Sequence, residues 1–146
     1  MNWIQGIQRA IDYVEENITE EIDFEKAARQ AYSSSFHFQR VFGILCGLSL
    51  GDYIRMRRLS LAGEELSKGN AKIIDIALKY GYDTPESFSR TFTRFHGITP
   101  SEAKHGGNVK IFTPLSVKLT LTGGSKMDYR IEKRDAFQVV CKRKSV

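Results

Sequence analysis

No apolar run in this chain approaches the roughly 18 residues that a membrane-spanning helix needs. That excludes a helical membrane protein. The amino end, Met1-Asn2-Trp3-Ile4-Gln5, has neither a basic stretch nor a long apolar one, so no secretory signal is expected and the chain reads as cytoplasmic. Cysteine is scarce. Cys46 and Cys141 lie far apart without a CxxC partner, which excludes a disulfide framework and reads as two reduced thiols. Histidine is scarce too, and His96 and His105 lack the spacing to Cys, His or carboxylate that a metal site needs; no metal and no cofactor is expected. There is no P-loop, no paired-carboxylate signature and no Ser-His-Asp context, so nothing supports an enzyme.

What is present is enough for one medium domain, or a domain plus a fragment of another, with 9 Phe, 6 Tyr and 1 Trp to anchor a core. The net charge of +5 is uneven. Residues 1–25 hold one Arg against seven acids (−6), residues 26–106 hold 12 bases against 7 acids (+5), and residues 107–146 hold 9 against 3 (+6). A positive middle segment suits phosphate contact, but the largest excess lies in the tail. In the first segment Ile4, Ile7, Ile11, Val14 and Ile18 recur at three- and four-residue steps, the pattern of an amphipathic packing helix.

The informative feature is an internal repeat at an offset of 50 residues. Ala27 pairs with Ala77, Tyr32 with Tyr82, Phe38 with Phe88, Arg40 with Arg90, Phe42 with Phe92 and Gly47 with Gly97, and no gap is needed. Each copy predicts a short helix (about 24–31 and 73–80), a tight connection holding a small residue (Ala31 or Gly81), and a second helix starting near Ser34 or Thr84. Both hydroxyls suit N-caps, and Pro85 suits the first helical position, where a missing N–H costs nothing. Gly47 and Gly97 suit left-handed C-caps, and Ser49-Leu50-Gly51-Asp52 and Thr99-Pro100-Ser101-Glu102 read as capping boxes. A long helix from about 52 to 67 links the copies.

At 100° per residue, Phe38, Val41, Phe42 and Leu45 share one face of the second helix, while Phe36, Gln39, Arg40 and Gly43 share the other. In the second copy Phe88, Thr91, Phe92 and Phe95 oppose Glu86, Ser89, Arg90 and Thr93. Each unit therefore buries an aromatic pair and turns an arginine outward among hydrogen-bonding residues. That suits a helix in the major groove, where Arg pairs both acceptors of guanine and Gln both groups of adenine. First-turn amides at Ser34 or Thr84 suit a phosphate. A lone surface arginine is ordinarily just solvated; two at equivalent positions on matching faces favour the DNA reading. Phe36 is either a packing residue or a contact to a thymine methyl or sugar, and His37 is structural or phosphate-facing. Glu86 repels phosphate unless it accepts from a cytosine amine.

These residues resemble the AraC/XylS family of bacterial transcription regulators, from about Ile4 to Lys104. The marks are Ala27-Ala28, the run Ser34-Ser35-Phe36-His37-Phe38-Gln39-Arg40-Val41-Phe42, Gly47, and Tyr53 to Leu59. The second copy adds Ile76-Ala77, Tyr80-Gly81-Tyr82, the run Ser87 to Phe92, Phe95 and Gly97-Ile98-Thr99-Pro100. The resemblance implies a mainly α, seven-helix domain over residues 1–107, with two helix-turn-helix units (about 24–47 and 73–97) joined by a rigid linking helix. It carries DNA contact onto Ser35, Phe36, Gln39 and Arg40 in the first unit, and onto Pro85, Glu86, Ser89 and Arg90 in the second. Pro85 and Glu86 depart from the longer polar donors common there, which shifts the second unit toward phosphate contact. Two recognition helices about one turn apart, roughly 34 Å, would let a monomer read a non-palindromic site on double-stranded DNA. An activator would also need a surface for RNA polymerase.

Residues 108–146 read as a β-rich segment. Leu115, Val117, Leu119 and Leu121 alternate with polar residues, Gly123-Gly124 suits a turn, Tyr129 and Ile131 suit a second strand, and Phe137, Val139 and Cys141 a third. Three strands without a covering layer have too little core to stand alone. The segment resembles the opening of a GyrI-like effector-binding domain, which is several times longer; the chain is then either a piece of a larger regulator or a naturally short one. Most of the pocket for a small-molecule effector would be absent. The basic excess reads as a solubilised strand face or as auxiliary phosphate contact, and an exposed edge suits pairing with another chain. Two competing functions follow: a protein-interaction or dimerisation module through these strands, and a ligand-sensing remnant.

Overall fold

The computed structural model describes residues 3–122, 126–133 and 141–144, with side chains placed from residue 3 to residue 117. The helices are α1 (Trp3–Glu16), α2 (Phe24–Arg29), α3 (Ser35–Cys46), α4 (Leu50–Ser67), α5 (Ile73–Lys79), α6 (Pro85–His96) and α7 (Pro100–Lys104). The strands are β1 (Leu115–Thr122), β2 (Lys126–Lys133) and β3 (Cys141–Lys144). The mainly helical class expected from the repeat is what forms, and the helix ends show why. Asp23 accepts the Glu25 and Lys26 amides at 2.9 and 3.4 Å to open α2. Ser34 accepts the His37 amide at 3.2 Å to open α3, and Thr84 accepts the Ser87 amide at 3.1 Å to open α6. Gly47 and Gly97 close those helices at φ 77°, a left-handed conformation that a Cβ disfavours. The reciprocal capping box forms at Thr99 and Glu102, with bonds of 3.1 and 2.9 Å. At the equivalent place the Asp52 amide donates to Ser49 Oγ at 3.0 Å, and α4 starts at Leu50.

The described residues group into two compact units. One takes in the described residues up to 17, those of 22–53 and those from 113 onward, the other 18–21 and 54–112, so the cut falls inside α4. Composition divides the chain at 107/108, whereas compactness groups β1 with α1 to α3.

In the first unit Ile4, Ile7, Ile11 and Val14 of α1 are buried, as are Phe38, Phe42, Leu45, Leu50 and Tyr53. Each such side chain taken out of water contributes about 1.5–3 kcal/mol. The strands make one antiparallel sheet in the order β1-β2-β3, registered from Leu115 opposite Lys133 to Thr122 opposite Lys126, and Ile131 opposite Cys141. Here the structure corrects the expectation of uncovered strands, because α1 packs on β1. Leu115 and Val117 are buried, the Val117 amide donates to Gln8 Oε1 at 2.8 Å, and the Leu115 amide donates to the Tyr53 hydroxyl at 3.3 Å. Tyr53 in turn donates to Glu15 at 2.9 Å. The expected Gly123-Gly124 turn and the positions Phe137 and Val139 lie outside the described residues.

In the second unit Leu59, Ala62 and Leu66 of α4 form a core with Ile76, Ala77, Tyr80, Phe88, Phe92 and Ala103. Burial and then the Glu65 carboxylate push the Tyr80 phenol up from its ordinary pKa. Two arginines of the Tyr53–Leu59 run are structural. Arg57 is buried and donates to the Phe112 carbonyl, while Arg58 donates to the carbonyls of Ile18 and Glu20 at 2.8 and 2.6 Å.

Candidate nucleic-acid interface

The helices α3 and α6 bury and expose equivalent positions. Phe38 and Phe42 are buried in one, Phe88 and Phe92 in the other, and Arg40 and Arg90 are exposed two residues after the first ring of each pair. Ring packing holds each helix. Phe38 and Phe42 lie 6.0 Å apart, and Phe42 lies 6.0 Å from Tyr53. Phe88 and Phe92 lie 5.4 Å apart, and Phe92 lies 4.2 Å from His96. With those faces pinned, the opposite faces must turn outward.

On α3 the exposed side presents Phe36, 78% exposed, with Arg40, and with Gln39 and Ser35 half-buried beside them. Gln39 donates through Nε2 to Ser35 Oγ at 2.9 Å, which fixes the plane of its amide and leaves the carbonyl oxygen pointing elsewhere. Ser35 thus reaches the site through Gln39. On α6, Pro85, Glu86 and Arg90 are exposed and Ser89 is half-buried. The structure brings the four candidates of each unit onto one face of one helix. Helix ends differ between the copies. The cap takes the third first-turn amide in both, and Phe38 bonds Ser34 O at 2.9 Å, so α3 retains the Ser35 and Phe36 amides for an anion. In α6 the first residue is Pro85, which has no amide, so Glu86 alone offers one, beside its own carboxylate. The phosphate reading for the second unit therefore has less backbone support than the first.

Each turn holds its expected small residue, Ala31 or Gly81, but the left-handed position differs between the copies. In the second copy Gly81 is left-handed (φ 88°) and the Tyr82 amide reaches back to Ala77 O at 2.9 Å. In the first copy Ala31 is not the left-handed residue. Tyr32 is, at φ 52°, and the equivalent long bond comes from Ser33 to Ala28 O at 3.1 Å. The turn has slipped by one residue. Tyr82 consequently packs edge-on against Phe88 at 5.3 Å, whereas Tyr32 is 82% exposed.

Sequence reasoning missed the role of His96. It is buried, and the Lys110 amide donates to its Nδ1 at 3.0 Å, which requires Nδ1 to be unprotonated and Nε2–H to donate to Leu59 O at 2.8 Å. Burial, with a smaller contribution from Lys110, lowers its pKa against the opposing Leu59 bond. The signal was present in the four-residue steps Phe88, Phe92, His96 along the buried face. His37 has its amide in the cap, and it lines a cavity beside Phe38.

Two helix pairs, each presenting one polar, arginine-bearing face on its capped second helix, define a tandem helix-turn-helix domain. A family model described as a helix-turn-helix domain matches residues 27–105. The chain is 39% identical over 95 residues to the HTH-type transcriptional activator AarP of Providencia stuartii, spanning 65% of this chain and 70% of that one. It is 37% identical over 105 residues to the regulatory protein SoxS of Salmonella typhimurium, spanning 72% and 98%. A crystal structure from Chromobacterium violaceum, a transcriptional regulator with an AraC-type DNA-binding domain, aligns with a TM-score of 0.64 at 26% identity, covering 68% of this chain and 89% of that one. The chain belongs to the AraC-type helix-turn-helix family of transcription regulators.

Proposed function

We propose that this regulator binds double-stranded DNA sequence-specifically, with α3 and α6 entering successive major grooves. The observation that carries the reading is the repetition of one outward arginine, Arg40 and Arg90, over one buried aromatic pair in each copy. Ser35, Phe36, Gln39 and Arg40 then read one half-site, Ser35 acting through Gln39. Pro85, Glu86, Ser89 and Arg90 read the other. The place of action is the cytoplasm, and activation, the role named for AarP, would add a contact with RNA polymerase. We further infer that residues 1–107 carry the DNA contact and that 108–146 open a GyrI-like effector-binding domain. The β1–β2 antiparallel pairing supports this, and a small-molecule effector would be its ligand.

The test is selection from random duplexes of roughly 25 base pairs, wide enough for two half-sites one turn apart, repeated with Arg40→Ala and Arg90→Ala. An asymmetric motif should emerge, and each substitution should cost about 1–3 kcal/mol and relax one half-site. No enrichment, with binding that fades uniformly with salt, would overturn the reading in favour of an interaction module built on the strands.

A further inference from the structure

A cavity of about 410 Å³ lies beside Phe38 in the first unit, lined among others by Trp3, Ile7, Ala31, Tyr32 and Val41. The duplication supplies an internal reference for what belongs there. In the second copy the same place, beside Phe88, is filled by the ring of Tyr82. The first copy has a tyrosine at the matching position, but the slipped turn carries Tyr32 outward to 82% exposure.

The reason lies in what surrounds the two seats. Helices α1 and α4 play equivalent parts, with Ile7, Ala10 and Val14 buried as Leu59, Ala62 and Leu66 are, a constant offset of 52 residues. The neighbours agree. A Cβ on Gly6 would lie 2.7 Å from Ala31, and one on Gly81 would lie 3.7 Å from the Arg58 guanidinium. So Gly6 stands for Arg58, Trp3 for Arg55, and Val41 for Thr91. In the second copy the Tyr82 phenol lies near the Thr91 hydroxyl and feels the charges of Arg55 and Arg58. In the first copy Gly6 and Val41 bring no polar side-chain atom, and Trp3 brings an indole in place of a guanidinium. A Tyr32 ring seated there as Tyr82 is would meet Gly6 and Val41 where Tyr82 meets Arg58 and Thr91. With Tyr32 carried outward by the slipped turn, the ring surface of Phe38, walled by Ile7, Val41 and Trp3, remains.

We propose that this cavity is a binding site for a small uncharged aromatic molecule, seated on Phe38 as the Tyr82 ring is seated on Phe88. Among the described residues no Asp, Glu, Lys or Arg lines it, so a charged ligand would find no ion partner there. Ser33 and His37 also line it and supply hydrogen-bonding groups for one polar substituent. The volume falls within the roughly 300–1,000 Å³ of small-molecule sites. The site stands whether or not α3 enters DNA.

Trp3 is the single tryptophan of the chain and lines the cavity, so its emission reports occupancy. Benzyl alcohol titrated into the full chain should give a saturable change in Trp3 emission, with amide shifts confined to Phe38, Val41 and their neighbours. Benzoate, the same ring bearing a carboxylate, should bind at least tenfold more weakly. Val41→Trp fills the cavity and should abolish the response while helical circular dichroism is unchanged. Should that variant fail to fold, Val41→Phe decides, since the smaller ring still narrows the cavity beside Phe38 and should weaken benzyl alcohol several-fold. A response that never saturates, benzoate binding as well as benzyl alcohol, or a folded Val41→Trp that still binds would each overturn the proposal. So would binding seen in Tyr32→Ala but not in the parent chain, because the Tyr32 ring would then be the occupant.

Discussion

Gly63 sits inside α4 facing the His96 ring, and Gly63→Ala should destabilise the second unit even though alanine is the better helix former. A Cβ there would lie 2.7 Å from His96 Cε1, 2.9 Å from Nε2 and 3.2 Å from Val109 Cβ. The ring has no easy retreat. It is bonded on both nitrogens, to Leu59 O and from the Lys110 amide, and held between Phe92 at 4.2 Å and Phe95 at 4.7 Å. Giving up both bonds costs about 2 kcal/mol, at about 1 kcal/mol each. Keeping them and straining the helix costs about 1–3 kcal/mol, as overpacking does. The gain in helix propensity offsets about 1 kcal/mol of either. A net loss of about 1 kcal/mol should lower the melting temperature by about 2–4 °C for a chain of this size. Amide exchange in α6 should accelerate in step. The cycle with His96→Ala isolates the cause: in that background Gly63→Ala should be neutral or stabilising, since the clash is gone and the propensity remains. A single variant as stable as the parent, or a loss undiminished by removing the imidazole, would refute the reasoning.

The same histidine predicts a pH dependence. Its folded pKa lies below the ordinary value of 6.5, chiefly through burial. The unfolded chain then binds the extra proton first, so this contribution is complete above the unfolded value and is lost as pH falls through 6.5 toward the folded pKa. Denaturant midpoints should fall with acidification over that interval, and His96→Phe should flatten the profile. Tyr32→Gly should stabilise the first unit by about 0.5–1 kcal/mol, the relief of a left-handed non-glycine residue less the entropy that glycine loses, read as a raised urea midpoint. Tyr53→Phe should cost about 1–3 kcal/mol by leaving the buried Leu115 amide without its acceptor, and exchange should quicken first at Leu115 and Val117.

Those two amides mark where the sequence stops speaking. The helices were legible because caps and periodicity act within one turn: Ser34, Thr84, Gly47 and Gly97 each announce a boundary using atoms three or four residues away. The matching faces of α3 and α6 were legible for the same reason, and Phe36, Gln39, Arg40, Glu86 and Arg90 stand where 100° steps put them. The covering of β1 was not legible. It depends on Gln8 meeting Val117 and Tyr53 meeting Leu115, pairs whose separation no local pattern encodes. Arg57 and Arg58 look like surface charge in the sequence, yet they spend their donors on the Phe112, Ile18 and Glu20 carbonyls. The slipped turn was hidden by the repeat itself, since gapless alignment asserts that Tyr32 and Tyr82 are equivalent.

That slip bears on how the two halves would read DNA. Duplication preserves what the core demands, and both copies keep their rings at the same depth. It does not preserve the exposed chemistry. The α3 face offers an aromatic edge at Phe36, an oriented amide at Gln39, Arg40 and two helix-end amides. The α6 face offers Arg90, a short hydroxyl at Ser89, one amide and a carboxylate that repels phosphate. Under the proposed function the α3 half-site should therefore be the more constrained in sequence, and Gln39→Ala should relax an adenine preference there by about 1–3 kcal/mol. Glu86→Gln should strengthen binding to every duplex and leave the preferred sequence unchanged, unless Glu86 accepts from a cytosine amine. In that case one base pair of the α6 half-site would lose its preference. Selection with the two variants side by side separates these outcomes. Equal constraint in both half-sites, unaffected by Gln39→Ala, would show that the outward face of α3 does not do the reading.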